Sequence, residues 1–361
     1  MLTPNGIANK RNNFKLLALN IFLGIALSVL CLAGAAQASM ATGSYTGNGN
    51  DDRGITGVGF QPDVVIIKAS DNAEEAVVRT SSMAGDNTKP LGNKEALTAD
   101  MIQSLDADGF TIGTDAMVNT TDKTYHWIAF QESSGELDAG SFVGNDADDR
   151  SISTMGFQPD YVIVMSAAGI EPVHRSSAQS GDSTLWFKGV APAANLIQAL
   201  EASGFQVGSD DNVNLNGVTF HYIAWKAVSG RTAVESYAGN GQDNTDISGV
   251  GFMPEYLIIK QDNKKEAVHR SDTVSGDNTL QFIAAASVAN QIQALQCDGF
   301  QAGASDRANK NNETYFMMAF ANKDVEVSAS GSQPSTMLIP STDQYVEENL
   351  FSPRRPPAHT P

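Results

Sequence analysis

The chain has 361 residues, a formal net charge of −18 and 41% hydrophobic residues. That apolar content supports packed cores and excludes a disordered chain. The acidic excess repels phosphates and anionic lipid, so nucleic acid is excluded as a partner.

Residues 1–15 carry Lys10, Arg11 and Lys15 and no acid, and an apolar run follows over 16–36. Ala36, Gln37 and Ala38 make an A-x-A site before Ser39, so residues 1–38 read as a Sec-type signal peptide. Cys31 would allow lipidation, but the bulky Leu30 stands where a small residue is needed. Without the leader, 20 basic residues face 41 acidic ones, a net −21. The mature chain carries no stable membrane span, and its expected location is secreted, extracellular or at the cell surface, with the periplasm as the alternative. It keeps one cysteine, Cys297, so no intrachain disulfide forms and apolar cores must hold the domains. Cys297 follows Leu295 closely and reads as a buried small hydrophobe.

Three copies of one pattern follow. Residues 44–68 read SYTGNGNDDRGITGVGFQPDVVIIK, residues 141–165 SFVGNDADDRSISTMGFQPDYVIVM, and residues 236–260 SYAGNGQDNTDISGVGFMPEYLIIK. Phe110, Phe205 and Phe300 are each 95 apart, as are Tyr125, Phe220 and Tyr315. A period near 95 exceeds solenoid repeats, and each copy is long enough to bury its own core. The expectation is beads in tandem over 41–132, 138–228 and 233–323, joined by short linkers that let neighbours touch.

Within a copy, a short strand carrying Tyr45 leads into an Asn/Asp/Gly loop. Pro62 marks a break, and VVIIK at 64–68 reads as a core strand. Another strand ends at Arg79, followed by a Gly-Asp loop. MIQSL, LIQAL and QIQAL, at 101–105, 196–200 and 291–295, fit a short helix or an irregular strand. A strand from Phe110 turns through Asp/Asn-rich sequence into TYHWIAFQ at 124–131. Six to eight short strands per copy predict an all-β fold of three β-sandwich modules, with a small barrel as the alternative. Residues 327–361, with Pro353, Pro356, Pro357 and Pro361, read as a disordered tail.

Two constellations recur. The acidic loops place Asp51, Asp52, Asp148, Asp149 and Asp243 at close spacing. Such oxygens suit calcium, though no EF-hand pattern is present; the alternative is an Asx-rich turn bonded to its own backbone. Arg53 and Arg150 stand ready to pair with those acids, with Thr245 in their place in copy 3. The second constellation spaces Arg79 and Asp86, Arg175 and Asp182, and Arg270 and Asp277 seven residues apart. A structural ion pair closing each loop is expected, with ligand contact as the alternative. Trp186 is a candidate ligand-binding aromatic, and Trp127 and Trp225 fit the core. His126 and His221 match Phe316 of copy 3, while His174 and His269 match Val78 of copy 1. Apolar replacement argues for buried positions and against one shared metal or catalytic site. No zinc-protease, nucleophile-elbow or phosphate-loop motif is present.

The string GNG…GF-x-PD-x-VIIK, then Arg, then GF-x-x-G, then TY-x-x-IAF resembles the repeat of phage tail-fibre and virion-associated proteins. Asn48, Phe60, Pro62, Asp63, Lys68 and Arg79 carry the match in copy 1; Asn145, Phe157, Pro159, Asp160 and Arg175 in copy 2; Asn240, Phe252, Pro254, Lys260 and Arg270 in copy 3. Met165 and Glu255 depart from the pattern. The resemblance implies concanavalin A-like or jelly-roll sandwiches with receptor-binding or structural roles and supplies no catalytic residue. The signal peptide sets this chain apart, because a phage fibre assembles in the cytoplasm. The expected function is a secreted or cell-surface structural or adhesive protein that self-associates or joins an extracellular polymer. The alternatives are a glycan-binding, lectin-like protein and an extracellular polysaccharide hydrolase; a non-enzyme is favoured.

Overall fold

The computed structural model describes residues 39–322. The leader and tail assignments lie outside the described residues. Module 1 contains β1 (Met40–Thr46), β2 (Arg53–Thr56), β3 (Val64–Ala69), β4 (Val77–Thr80), β5 (Lys89–Pro90), β6 (Ile102–Asp106), β7 (Gly109–Ile112), helix α1 (Ala116–Asn119) and β8 (Thr124–Phe130). Module 2 repeats this with β9 (Leu137–Val143), β10 (Arg150–Ile152), β11 (Tyr161–Ser166), β12 (Val173–Ser176), β13 (Leu185–Trp186), β14 (Ile197–Glu201), β15 (Gly204–Val207), α2 (Asp211–Asn214) and β16 (Thr219–Trp225). Module 3 follows with β17 (Thr232–Ala238), β18 (Thr245–Ser248), β19 (Tyr256–Gln261), β20 (Val268–Ser271), β21 (Asn278–Gln281), β22 (Val288–Ala289), β23 (Ile292–Gln296), β24 (Gly299–Ala302) and β25 (Thr314–Phe320).

Each module is two antiparallel sheets. In module 1 the large sheet runs β1-β8-β3-β4-β5 and the small one β2-β7-β6. Ile55, Val65, Ile67, Val77, Ile102, Phe110 and Ile112 fill the space between them. Modules 2 and 3 have their own inter-sheet cores. The sheets are open ones, and the segments read as helix or strand are strands, each interrupted by a bulge.

The modules are not beads. A fourth core contains residues of all three, including Val64, Ile66 and Phe130, then Tyr161, Ile163 and Trp225, then Tyr256, Ile258 and Phe320. Along β3, Val65 and Ile67 face the small sheet while Val64 and Ile66 face this shared core. Burial on both faces is why VVIIK is an unbroken apolar run rather than an alternating one. Phe130, Trp225 and Phe320, at equivalent strand ends, form a triangle with ring centroids 5.5, 5.3 and 5.5 Å apart. That triangle marks a pseudo-threefold axis. Beside it Arg231 pairs with Glu136, and Ser39 holds the third equivalent position, each accepting one backbone bond from the strand end of its own module.

The seams run head to tail. Ala76 N donates to Phe282 O (2.9 Å), linking modules 1 and 3, and Ala267 N to Phe187 O (2.8 Å), linking modules 3 and 2. At the third seam Pro172 replaces the alanine and has no N–H to give. There Lys89 Nζ bonds Ala168 O and Ile170 O (both 3.0 Å), and Leu97 N bonds Ala167 O (3.1 Å). Lys68 Nζ reaches Ala285 O (2.7 Å) across the seam of modules 1 and 3. Burial pulls both lysines down to about 8. Three heterologous contacts thus close a ring.

A second contact at two of the seams accounts for His126 and His221. Thr273 Oγ1 lies 2.8 Å from His126 Nδ1, and Ser82 Oγ 2.9 Å from His221 Nδ1. At the equivalent positions of the remaining seam stand Ala178 and Phe316, an apolar pair. Ser82 also donates to Gly140 O (3.1 Å) on edge strand β9, so neighbouring modules cover part of the edges.

Among the described residues no helix is long and apolar enough to cross a membrane. Cys297 is exposed, contrary to expectation, because it sits in the turn between β23 and β24 rather than on the inward face of a strand.

Candidate functional site

The acidic loop of each module is built on a buried asparagine at the end of the Asp/Asn-rich turn. Asn119 Oδ1 accepts from Asn48 N (3.0 Å), and its Nδ2 donates to Asn50 O (2.7 Å) and Gly113 O (2.9 Å). Asn214 and Asn309 make the matching bonds to Asn145 and Ala147, and to Asn240 and Gln242. All three asparagines are fully buried. A Cβ at Gly47 would sit 2.1 Å from Thr120 O, which is why the loop begins with glycine. Asp52, Asp149 and Asn244 take the left-handed conformation (φ 52°, 55° and 54°) that their short polar side chains tolerate.

The carboxylates are engaged locally. Asp51 Oδ1 accepts from Asp52 N (2.9 Å) and Gln103 Nε2 (2.8 Å). Asp148 accepts from Gln198 Nε2 (3.0 Å) and Asp243 from Gln293 Nε2 (2.8 Å). Among the described residues no group of three or more His, Cys, Asp or Glu is placed to hold a metal ion. The Asx-turn alternative accounts for these loops. Arg53 and Arg150 turn away from the acids: each donates to a backbone carbonyl, Thr46 O and Val143 O, and lies over the ring of Tyr45 or Phe142. Thr245 replaces them with its hydroxyl, bonded to Asn240 Oδ1 and Gln242 O.

The expected arginine–aspartate ion pairs are replaced by a carbonyl cage. Arg79 donates through Nη1 to Asn87 O (2.7 Å) and Ile102 O (3.2 Å), and through Nη2 to Gly85 O and Met83 O. Arg175 and Arg270 do the same with Ser183 and Ile197, and with Gly276 and Ile292. Asp86, Asp182 and Asp277 each accept from a backbone N–H, of Asp100, Asn195 and Asn290. No ion pair joins them to the arginines among the described residues. Burial lowers the pKa of Arg79, with Asp86 opposing from a distance. A guanidinium fork reaches several carbonyls of one loop at once, which a single carboxylate could not organise.

Trp186 is 8% exposed and packs in the inter-sheet core of module 2, so it does not present a face to a ligand. His126 and His221 are buried at the seams, and burial lowers both to about 4. His174 stacks on Phe187 (4.6 Å), with burial lowering it to about 3. The loop-building asparagines and the bulge glutamines Gln103, Gln198 and Gln293 went unread, although each set recurs at intervals of 95.

Comparison with known proteins adds a family. The domain of unknown function DUF7483 matches twice, over residues 36–135 and 232–343, more than half of the chain. The chain belongs to this family. The two DUF7483 matches cover modules 1 and 3; module 2 lies between them and keeps the same strand order and cage. No curated protein and no solved structure matches the chain.

Proposed function

We propose that this DUF7483 protein is a secreted structural or adhesive block that joins a cell surface or an extracellular assembly. The observation that carries this reading is the closed ring: three modules around one aromatic core hold three copies of the same polar loop in fixed relation. Such an object suits multivalent attachment, where a second and third contact become intramolecular. The A-x-A leader supports export, and the resemblance to tail-fibre modules supports a receptor-binding or structural role. Expression of the full chain with its own leader tests the reading. Recovery of protein outside the cytoplasm, retained by envelope or extracellular polymer, is expected. A chain that stays in the cytoplasm and is retained by neither would overturn it.

A further inference from the structure

In both linkers the chain forms a small antiparallel bridge before it enters the next module. Ser133 N donates to Leu137 O (3.2 Å) and Leu137 N to Ser133 O (3.1 Å). Val228 and Thr232 exchange the same two bonds (2.9 Å each). One residue before each bridge, the N–H of Glu132 is anchored to Asp63 Oδ2 (2.7 Å) and that of Ala227 to Asp160 Oδ2 (2.8 Å). The bridges satisfy outward-facing backbone groups at the start of β9 and β17, which are edge strands.

The pseudo-threefold axis repeats this setting at the start of β1, also an edge strand. Met40 is the counterpart of Leu137 and Thr232, each paired with the last residue of its module's final strand. Asn322 N is anchored to Glu255 Oε1 (3.3 Å), as Glu132 and Ala227 are to their acids, so module 3 ends along the path that the two linkers take. Met40 and Ala321 line one depression of about 340 Å³ at the mouth of the axis, counting space open to solvent, with Leu137, Val228 and Thr232 around it. The second DUF7483 match runs on to residue 343, past the last described residue.

We propose that Lys323 pairs with Met40 as Ser133 does with Leu137, so that the tail closes the one junction of the ring that no linker spans. The contact uses backbone groups alone, which is why serine, valine and lysine serve equally at the three positions. Gly135 and Gly230, with φ of 84° and 78°, turn each linker into the next strand. Val325 stands at that place in the tail, and a β-branched residue disfavours such a turn. The tail therefore passes the bridge and leaves the ring beside Ser39, and both ends of the body emerge at one pole. This latch goes beyond the reading of an adhesive block and holds with or without export.

Amide hydrogen exchange on residues 39–361 tests the proposal. Met40 N–H is expected to be protected like the N–H groups of Leu137 and Thr232. Lys323→Pro, which removes the donor to Met40 O, is expected to speed exchange at Met40 at least about tenfold and to leave the other two unchanged. Fast exchange at Met40 in the parent, or equal protection in the variant, would overturn it. Protection that fades when the parent is diluted would also overturn it, because the bridge would then come from another copy's tail. If the proline also exposes Leu137 and Thr232, a chain ending at Asn322 decides by the same comparison.

Discussion

Arg79, Arg175 and Arg270 act as loop organisers, and this separates two outcomes that the sequence pairs together. Arg79→Ala strips several carbonyls of their donor in a buried place and is expected to cost about 3 kcal/mol or more. Asp86→Ala removes one acceptor from a backbone N–H and is expected to cost about 1 kcal/mol. Denaturant titration of both variants checks the order; equal losses would restore the ion pair as the main interaction. Asn119→Asp makes a matching case. Aspartate still accepts from Asn48 N but cannot donate to Asn50 O and Gly113 O, so a loss of about 1–3 kcal/mol is expected by the same measurement.

At the scale of elements, the seams carry a pH dependence. His126 and His221 have folded pKa values of about 4, below the ordinary 6.5. As pH falls, the unfolded chain therefore takes up protons first, and stability present above about 6.5 is lost progressively toward pH 4. Glu75, raised by burial to about 7, acts in reverse, favouring the fold at low pH and losing that contribution as pH rises through 4.5 to 7. Both histidine seams can be rewritten in the terms of the seam between modules 2 and 3, as Ser82→Ala with His221→Phe and Thr273→Ala with His126→Phe. The expected result is a flatter stability profile between pH 6.5 and 4 than the parent's, with Glu75 unchanged in both, read as thermal midpoints across that range. These seams also show what a sequence can and cannot disclose. The spacing of Phe110, Phe205 and Phe300 and the apolar VVIIK run disclose three like units with two-sided burial in each central strand. They do not disclose whose surface covers the second face. Phe316 reads as a lost histidine until it is set beside Ala178, which in another module replaces the hydroxyl of Ser82 and Thr273, and no periodicity links residues that far apart. Asn119, Asn214 and Asn309 were available at their interval of 95, but asparagine in a polar turn looks like ordinary turn chemistry.

At the scale of the molecule, the shared core makes the modules depend on one another. Phe130, Trp225 and Phe320 each touch the other two, so truncating one removes packing from all three modules. Phe130→Ala is expected to cost about 3–5 kcal/mol and to lower the thermal midpoint of the whole body. Calorimetry should show a single cooperative transition for residues 39–322, where independent beads would melt in separate steps. The linkers at 131–136 and 226–231 have a further effect. A ring of separate subunits falls apart by mass action when diluted, whereas this one is tied along a single polypeptide. Its valency is therefore set at synthesis and persists at any concentration, and one seam can change its chemistry, as Ala178 and Phe316 have, without the other two having to follow.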